Sequence, residues 1–426
     1  MNKSTVSHAE TGLTDAALRE AVIASLAGRG KRRVLLIPPD YTRFFSKAGF
    51  ISNICYHYFS ERGVPVDVLP ALGTHVPVTE AEAADMFGDI PFDRFIAHSW
   101  RDDVVRLGEV PGSFLSEVTE GLWSEPVDVE INRLVMDERY DLILSIGQVV
   151  PHEVIGMANH AKNLFVGVGG QDMINKSHMV GALYGMERMM GKDHTPVRRI
   201  FDHALARYLA DRPILFLLTV TTAPGGSTRV HGLFAGDERA VLENAIALSQ
   251  QKNIDFVETG IKKCVVYLDP KEFKSTWLGN KAIYRTRMAV ADDGDLIVLA
   301  PGVSRFGEDP AVDRLIRKYG YCGRQRVLEL FHDPECADLR ANMGAAAHLI
   351  HGSSDGRFRI TYAVRDIPEE EIAGVHFLPA NYAETVRRYD PARLSYGYNT
   401  LPDGETVFFI PNPALGLWID RERFSQ

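Results

Sequence analysis

Apolar runs alternate with helix-like patterns through the first half of the chain. The elements that this alternation predicts are strands at 33–38, 64–72, 140–146 and 214–221 and helices at 49–62, 79–87, 197–209 and 238–251. Buried strands interleaved with helices favour a parallel, doubly wound sheet. Ligands of such sheets bind beyond the carboxyl ends of the strands. The segments after Pro38, Leu72 and Ile146 are therefore the places where the sequence predicts a site.

A second alternation begins near Lys263. It predicts strands at 263–269, 295–300, 357–362 and 406–410 and helices at 277–291, 309–319, 369–372 and 382–389. A chain of 426 residues is too long for one core. We therefore predict an α/β protein of two domains, residues 1–270 and a smaller α/β domain at 271–426, with the active site at the interdomain cleft. Residues 2–11 are predicted to be mobile.

Charge and composition limit the partners. The 47 Lys and Arg against 56 Asp and Glu give a net charge of -9, so no basic excess is present to bind nucleic acid. An anionic substrate would need cations clustered at its own site. The four cysteines lie far apart, which argues against a disulfide framework or a thiolate zinc site. No signal-peptide pattern or long apolar run is present, so we expect a cytoplasmic protein without a membrane partner.

Two short motifs follow the first two strands. Asp40 and Arg43 are three residues apart, so that the guanidinium could clamp a carboxylate or phosphate. Taken alone, an Asp N-cap beside an exposed Arg explains them better. Gly73-Thr74-His75 ends the second strand and could bring backbone and imidazole to a ligand. A lone histidine is more often structural.

The third motif is longer and follows the strand at 140–146. It combines histidines, lysines and glycines at His152, Glu153, Gly156, His160, Lys162, Gly167, Gly169, Gly170, Lys176 and His178. The run 167–170 does not fit the dinucleotide fingerprint, and the chain has no Walker-type Gly-Lys-Ser/Thr, which excludes the common nucleotide enzymes. Zinc ligation by these histidines with His75 and Asp40 stays open, although no paired His-Glu-x-x-His spacing occurs. His348 and His351 are explained by the end of an Ala-rich helix.

Taken in order, these motifs resemble the nickel-pincer lactate racemase family. The shared pattern is Asp-x-Thr-Arg at 40–43, Gly-Thr-His at 73–75, Pro-His-x-x-x-Gly at 151–156, Lys162 ten residues after His152, and His178 sixteen residues after Lys162. The resemblance implies a two-domain fold whose first domain binds the cofactor and carries out catalysis, while the second contributes substrate-binding residues.

The resemblance also implies a cofactor, a pyridinium bis-thiocarboxylate mononucleotide that carries nickel. Lys162 would attach it covalently through a thioamide, and His178 would ligate the nickel, which imidazole suits. The residues that hold the cofactor would be Asp40, Tyr41, Thr42, Arg43, Lys162 and His178. Proteins that synthesise the cofactor are the implied partners. The sequence leaves the oligomeric state open.

His75 and His152 would be the two acid/base residues on a small 2-hydroxy acid. Its C2 hydrogen is poorly acidic, so its removal as hydride, while a base takes the hydroxyl proton, is the easier route. The planar keto acid can take the hydride back on either face, which makes one base on each side the minimal design. Asp40 would fix the tautomer of His75.

The second domain departs from the family pattern. Where lactate enzymes have a Tyr-Gln-x-x-Lys segment, this chain carries Arg305, Arg314 and Arg317, which we predict to bind substrate together with Arg43. Val76 replaces a basic residue after the Gly-Thr-His motif. These changes favour a larger sugar acid, such as an aldonate, and hence C2 epimerisation. The alternative is an exposed charged helix face at Asp313, Arg314 and Lys318.

The predicted function is thus an isomerase, a racemase or epimerase of a 2-hydroxy acid. Two rivals remain from the residues alone. One is a hydrolase that uses a His-ligated divalent metal. The other is a non-catalytic relative that binds a sugar acid or a nucleotide.

Overall fold

The computed structural model describes residues 2–223, 227–414 and 416–424, and within them the chain forms two compact units. The first contains the residues up to Val180 together with Met190–Asn253. The second contains Gly181–Met189 and the chain from Ile254 onward. Both are mixed α/β structures with mainly parallel sheets, which confirms the predicted fold class. No helix among the described residues is long and apolar enough to span a bilayer.

The first half of the chain supplies the elements of the first unit. In chain order they are β1 (Lys3–Val6), α1 (Asp15–Leu26), β2 (Val34–Ile37), a 3-10 helix (Tyr41–Ser46), α2 (Ala48–Ser60), β3 (Val66–Val68), α3 (Glu80–Phe87), a 3-10 turn (Phe92–Arg94), β4 (Val104–Val110), α4 (Gly112–Val118), β5 (Val127–Asn132), α5 (Arg133–Met136), β6 (Leu142–Gln148), β7 (Pro151–His152), β8 (Gly156–Met157), a π-helical turn (Asn163–Gly167), α6 (Gln171–Tyr184), α7 (Met186–Met189), α8 (Pro196–Tyr208), β9 (Ile214–Thr222), β10 (Arg229–Gly236) and α9 (Arg239–Asn253). By the division above, the end of α6 and all of α7 belong to the second unit.

The main sheet of the first unit has the order β1-β10-β9-β6-β2-β3. Strands β9, β6, β2 and β3 run parallel, and β10 and β1 add antiparallel neighbours at one edge. Every residue of β2 is buried, as expected for a strand covered on both faces. Leu36 lies opposite Val68 and Leu144, and this core includes Ile51 of α2. Since β2, β3 and β6 are parallel, their carboxyl ends meet at one edge.

The second unit is built around a similar sheet. Its elements are β11 (Asp255–Val257), β12 (Ile261–Tyr267), α10 (Thr276–Gly279), α11 (Lys281–Thr286), β13 (Val290–Ala300), α12 (Pro310–Tyr319), α13 (Arg324–His332), a 3-10 turn (Pro334–Cys336), α14 (Ala337–Arg340), α15 (Met343–His351), β14 (Arg359–Val364), α16 (Glu369–Gly374), β15 (Leu378–Asn381), α17 (Tyr382–Arg388), β16 (Gly397–Thr400), β17 (Thr406–Ile410), β18 (Trp418–Asp420) and α18 (Arg421–Phe424). The order is β15-β14-β13-β12-β17-β16, parallel except for β16.

Three sequence predictions of local structure are wrong. Residues 2–11 are not simply a mobile tail, because Lys3–Val6 pairs with β10. The regular strand within 64–72 is shorter than predicted, since β3 covers only Val66–Val68, although the N–H groups of Leu69 and Ala71 still donate to carbonyl oxygens of the segment that contains β2. The helix predicted at 277–291 breaks at Asn280, whose side chain accepts a hydrogen bond from the Tyr362 hydroxyl at 2.7 Å, and the last part of that segment enters β13.

Candidate active site

The segments that follow β2, β3 and β6 meet at the carboxyl edge of the first sheet, where the strand pattern predicts a site. After β2 comes the 3-10 helix beginning at Tyr41, and after β3 comes the turn to His75. After β6, the β7–β8 hairpin carries His152. The Gly73 N–H donates to the Gly167 carbonyl oxygen at 2.8 Å and so joins the second motif to the third.

Asp40 serves two purposes at this edge. Its Oδ1 accepts hydrogen bonds from the Thr42 N–H at 3.1 Å and the Thr42 hydroxyl at 2.5 Å, which caps the 3-10 helix. Its Oδ2 accepts from His75 Nδ1 at 2.5 Å. Burial by itself would raise the pKa of Asp40, but the hydrogen bond and charge of His75, with Thr42 and Arg43, hold it below its ordinary value. The ionised carboxylate therefore keeps the proton on Nδ1 and leaves Nε2 of His75 as a base.

Arg43 extends from the same 3-10 helix and is exposed. Its Nη1 donates to the Thr42 hydroxyl oxygen at 3.0 Å. Within the described ranges, no carboxylate forms an ion pair with it. Both features suit a cation that receives an anionic ligand. The neighbouring Tyr41 has a different role, since its hydroxyl donates to Asp85 Oδ2 at 2.6 Å.

Lys162 lies immediately before the π-helical turn, a rare structure that is frequently found at functional sites. The next residue, Asn163, fastens the segment to the sheet by donating to the Ile37 carbonyl oxygen at 2.9 Å and the Ser145 hydroxyl oxygen at 3.1 Å. The Lys162 amine makes no hydrogen bond or ion pair with any residue that the structure describes. Burial, together with the charge of Arg43, lowers its pKa to about 8.

His152 has the opposite tautomer from His75. Its Nδ1 accepts a hydrogen bond from the Val154 N–H at 3.1 Å, so the neutral ring carries its proton on Nε2. Burial lowers its pKa well below the ordinary value, and the charges of Lys162, His178 and Arg43 lower it further against the opposing charge of Glu153. At neutral pH His152 is therefore an uncharged N–H donor. To act as a base through Nε2, it must move its proton to Nδ1 and give up the bond from Val154.

His178 is prepared as a ligand. On α6 its Nδ1–H donates to the Ile174 carbonyl oxygen at 2.6 Å, which leaves the lone pair of Nε2 available. Metal-binding histidines commonly show this arrangement, in which a backbone carbonyl fixes the tautomer. Burial lowers the pKa of His178, with Lys162 adding to the shift, so the ring is neutral at pH 7, as metal ligation requires.

The first unit contains all eight residues predicted for the cofactor and the acid/base steps, and it brings six of them together: Asp40, Arg43, His75, His152, Lys162 and His178. Their mutual effects on pKa show that they share one electrostatic environment. The sequence interpretation assigned no role to Glu153, yet its charge acts on His152, Lys162 and His178. Its place directly after His152 was the only signal in the sequence.

The arginines predicted in the second unit have a different setting. Arg317 pairs with Asp313, with 2.6 Å between Nε and Oδ2, and also with Glu371. Arg305 Nε donates to the Gly307 carbonyl oxygen at 3.2 Å, and its Nη2 lies 3.4 Å from a carboxylate oxygen of Glu308. Arg314 is exposed on α12. The Arg317–Asp313 pair at i,i+4 is of the kind that the surface alternative predicts.

Among the described residues, no three of the side chains proposed as zinc ligands bring their ligand atoms within 4.8 Å of one another. A group of three ligand atoms within 4.8 Å occurs, in the part of the chain that the structure describes, only at Asp193, His194 and Glu243. Asp193 is already hydrogen-bonded to Arg239 at 2.5 Å. His348 is structural, because it stacks on Trp277 and bonds the hydroxyls of Tyr284 and Tyr321.

A family model matches much of the first unit. Residues 7–191 match the family model of the lactate racemase N-terminal domain. This match confirms the resemblance inferred from the motifs, since the matched range contains all of them. No curated protein matches the sequence at a significant level.

Solved structures extend the similarity to nearly the whole chain. A protein from Thermotoga maritima superposes with a TM-score of 0.78 and 23% identity, covering 96% of this chain and 98% of that one. The lactate racemase apoprotein from Thermoanaerobacterium thermosaccharolyticum gives a TM-score of 0.71 and 14% identity, with 96% and 93% covered. At such identities the similarity establishes the fold alone.

Proposed function

We propose that this lactate racemase-like protein, whose residues 7–191 match the model of the lactate racemase N-terminal domain, inverts C2 of a 2-hydroxy acid with a nickel-pincer nucleotide. The observation that carries the proposal is the cluster at the carboxyl edge of the first sheet. There Lys162, whose pKa is lowered, His178, whose Nε2 can accept a metal, and the His75–Asp40 pair act on one another electrostatically.

The residues of this cluster suit the cofactor chemically. Thioamide formation needs an uncharged amine, and a pKa of about 8 leaves a fraction of Lys162 uncharged at neutral pH. Nickel accepts imidazole as a ligand, and His178 offers Nε2. When bound, the nickel-pincer nucleotide would supply an acceptor for the hydride of C2.

The chain's own residues would move the proton and hold the acid. His75 takes the hydroxyl proton at Nε2, and the resulting imidazolium is stabilised by Asp40. His152 presents its Nε2–H to the substrate oxygen in the arrangement described, and after a tautomer change it can act as the second base. Arg43 binds the substrate carboxylate, since it forms no ion pair with any carboxylate among the described residues.

We propose further that the substrate is longer than lactate, in the class of sugar acids. The support is the set of charged side chains at Arg305, Arg314 and Arg317 in place of the lactate-type segment. A contribution from these residues to substrate binding stays a prediction, and Arg305 and Arg317 would have to leave their carboxylate partners to make it. A panel of 2-hydroxy acids, from lactate to aldonates, offered to the loaded enzyme tests the substrate class.

Intact-mass measurement tests the cofactor directly. The protein is co-expressed with cofactor-making enzymes, and we expect an adduct that peptide mapping places on Lys162. Lys162→Arg, which keeps the charge but removes the reactive amine, is the matched control and should show none. His178→Ala should keep the adduct and lose the nickel. An unmodified wild-type chain under these conditions would contradict the proposal.

Isotope labelling tests the route of the hydrogen. A substrate carrying deuterium at C2 should keep it in the inverted product if the hydrogen moves as hydride. Extensive loss of deuterium to water would instead indicate proton abstraction at C2, and with it a different reaction class.

A further inference from the structure

The backbone that leads into Lys162 is held by one short stretch of the chain, residues 191–198. Four carbonyl oxygens between residues 155 and 159 accept hydrogen bonds from this stretch. The acceptors are Ile155, Gly156, Met157 and Asn159, and the donors are the Gly191 N–H, the Thr195 hydroxyl and the Arg198 guanidinium. Residues 191–198 therefore fix the backbone that runs from the His152 hairpin to Lys162.

Arg198 makes two of these four bonds with a single nitrogen. Its Nη2 donates to the Met157 carbonyl oxygen at 2.6 Å and to the Asn159 carbonyl oxygen at 3.1 Å. The side chain is only 1% exposed, so water does not compete for this donor. Because Met157 ends β8 and Asn159 begins the turn before Lys162, the guanidinium joins the hairpin to that turn.

The turn at residues 159–160 has a backbone conformation that needs support. Asn159 and His160 have φ values of 70° and 60°, in the left-handed region, which costs free energy for residues other than glycine. The His160 ring stacks on Phe216 with 3.8 Å between ring centroids, but neither of its nitrogens bonds to a residue that the structure describes. Strain of this kind persists only where the surroundings impose it. The hydrogen bond from Arg198 to the Asn159 carbonyl oxygen acts directly on this turn, two residues before Lys162.

Packing alone does not account for an arginine at this place. Its Nε and Nη1 have no hydrogen-bond partner among the described residues, and Asp202 Oδ1 lies 4.0 Å from Nη1. Burial lowers the pKa of Arg198 to about 10, so the guanidinium is still charged at neutral pH. A buried cation with open donors costs free energy that an apolar side chain of similar volume would not. The two bonds made by Nη2 are what distinguishes the arginine from such a side chain.

The charge of Arg198 also acts on the Lys162 amine. Burial is the main cause of the lowered pKa of Lys162, and a smaller part of the lowering comes from Arg198. The other ionisable groups that interact with this amine are Arg43, which also lowers its pKa, Glu153 and Asp40, which raise it, and His152 and His178. Lys162 is therefore coupled to Arg198 both through the backbone and through space.

We propose that Arg198 is a positioning residue for Lys162. By bonding the Met157 and Asn159 carbonyl oxygens, it fixes the turn at 159–160 and thereby the place of the Lys162 amine in the cluster at the carboxyl edge. This role requires no contact between Arg198 and substrate or cofactor. That the positioned amine attaches a cofactor rests on the proposed function, whereas the positioning is a property of the chain alone.

Two measurements on the full-length chain without cofactor test the proposal. Competitive acetylation from pH 6 to 11 with peptide mass spectrometry gives the titration midpoint of Lys162, and hydrogen–deuterium exchange gives the protection of the amides at 157–163. Arg198→Met removes both bonds and the charge. We expect it to raise the midpoint from about 8 by about one unit or more, because the amine becomes better solvated, and to make the amides exchange about tenfold faster.

Two other variants isolate the cause. Arg212→Met is the matched control, because Arg212 likewise donates to two carbonyl oxygens of the first unit, those of Val135 at 2.9 Å and Asp137 at 3.0 Å. It should leave both measurements at Lys162 unchanged. Arg198→Lys keeps the charge but loses the fixed geometry of the guanidinium, so its values should lie between those of wild type and Arg198→Met.

Wild-type values in Arg198→Met would overturn the proposal, as would equal effects in Arg212→Met, which would indicate a general loss of stability. A raised midpoint with unchanged exchange would show an effect of charge alone, and faster exchange with an unchanged midpoint would show that the turn does not place the amine. Either result also overturns it. If Arg198→Met does not fold, Arg198→Lys decides, and wild-type values in that variant overturn the proposal. A wild-type chain that takes up no cofactor would contradict the proposed function and leave these two measurements as they are.

Discussion

The cluster at the carboxyl edge of the first sheet and the arginine segment of the second unit contain similar residue types in opposite electrostatic states. In the cluster, Arg43 forms no ion pair among the described residues, and burial lowers the pKa of Lys162 to about 8. In the segment, the exposed Arg317 of α12 forms ion pairs with Asp313 and Glu371. The difference shows that a local concentration of charge in a sequence does not by itself identify a site.

Desolvation explains the difference. Burial without an opposite charge shifts the pKa of an ionisable group. Groups with strongly shifted pKa values are concentrated at functional sites. Exposed pairs spend nothing comparable, because water solvates both members. The cluster at the carboxyl edge is therefore a better candidate for an active site than the arginine segment of the second unit. The predictions below test the contrast.

The largest effect is expected for His75→Asn. Loss of a general base at Nε2 should lower the inversion rate of the loaded enzyme by about 10²–10⁴-fold. His57→Asn is the matched control, because His57 forms a similar pair with Asp89 at 2.8 Å on the surface. That variant should keep full activity. A His75→Asn enzyme with more than about a tenth of the wild-type rate would remove His75 from the base role.

Lys162 should show a distinct pH profile of chemical modification. With its pKa lowered to about 8 by burial, roughly half of its amines are uncharged at pH 8, against well under 1% for an ordinary lysine. Competitive acetylation followed by peptide mass spectrometry from pH 6 to 10 should show a rate that rises through pH 8 and then levels off. Lys318 is the internal control, since hydrogen bonds with Tyr319 and Asp338 raise its pKa. Parallel profiles for the two lysines would contradict the assigned environment.

The two arginines should differ in substrate binding. Arg43→Gln should raise KM about tenfold or more, because it removes an unneutralised cation from the carboxylate. Arg317 would have to leave two carboxylates to bind substrate, so we expect Arg317→Gln to change KM by less than about threefold. Steady-state kinetics of both variants make the comparison. A larger effect from Arg317→Gln would place the substrate-binding role in the second unit after all.

The sequence predicted where the candidate active-site residues lie better than it predicted their protonation states and tautomers. Strand ends placed Asp40, His75 and His152 at one edge correctly, because parallel strands share their carboxyl ends. The tautomers of His75 and His152 could not be predicted, because they depend on a carboxylate 35 residues away in one case and on a backbone N–H two residues away in the other.

The unbonded ring of His160 escaped prediction for a similar reason. His160 is buried beside residues that are distant in sequence, such as Phe216 on β9, and the absence of a bond to its ring nitrogens among the described residues becomes evident only when the chain is folded. Sequence patterns also failed at Asn280, where a tertiary hydrogen bond from Tyr362 overrides helical spacing. The local sequence pattern therefore predicts the helices and strands. Which polar side chains keep free hydrogen-bonding capacity depends on contacts between residues distant in sequence.

The smallest expected effect concerns the stability of the second unit. Arg317→Gln should lower the free energy of unfolding by about 1 kcal/mol or less, because both of its ion pairs are exposed. Asp313→Ala should cost more, about 1–3 kcal/mol, because the Asp313 carboxylate also accepts the N–H groups of Phe306 at 2.8 Å and Gly307 at 3.0 Å, which the substitution leaves unbonded. Urea denaturation of both variants gives the difference. If Asp313→Ala were no more destabilising than Arg317→Gln, the carboxylate would not organise this loop, and the arginine segment could not be interpreted as structural.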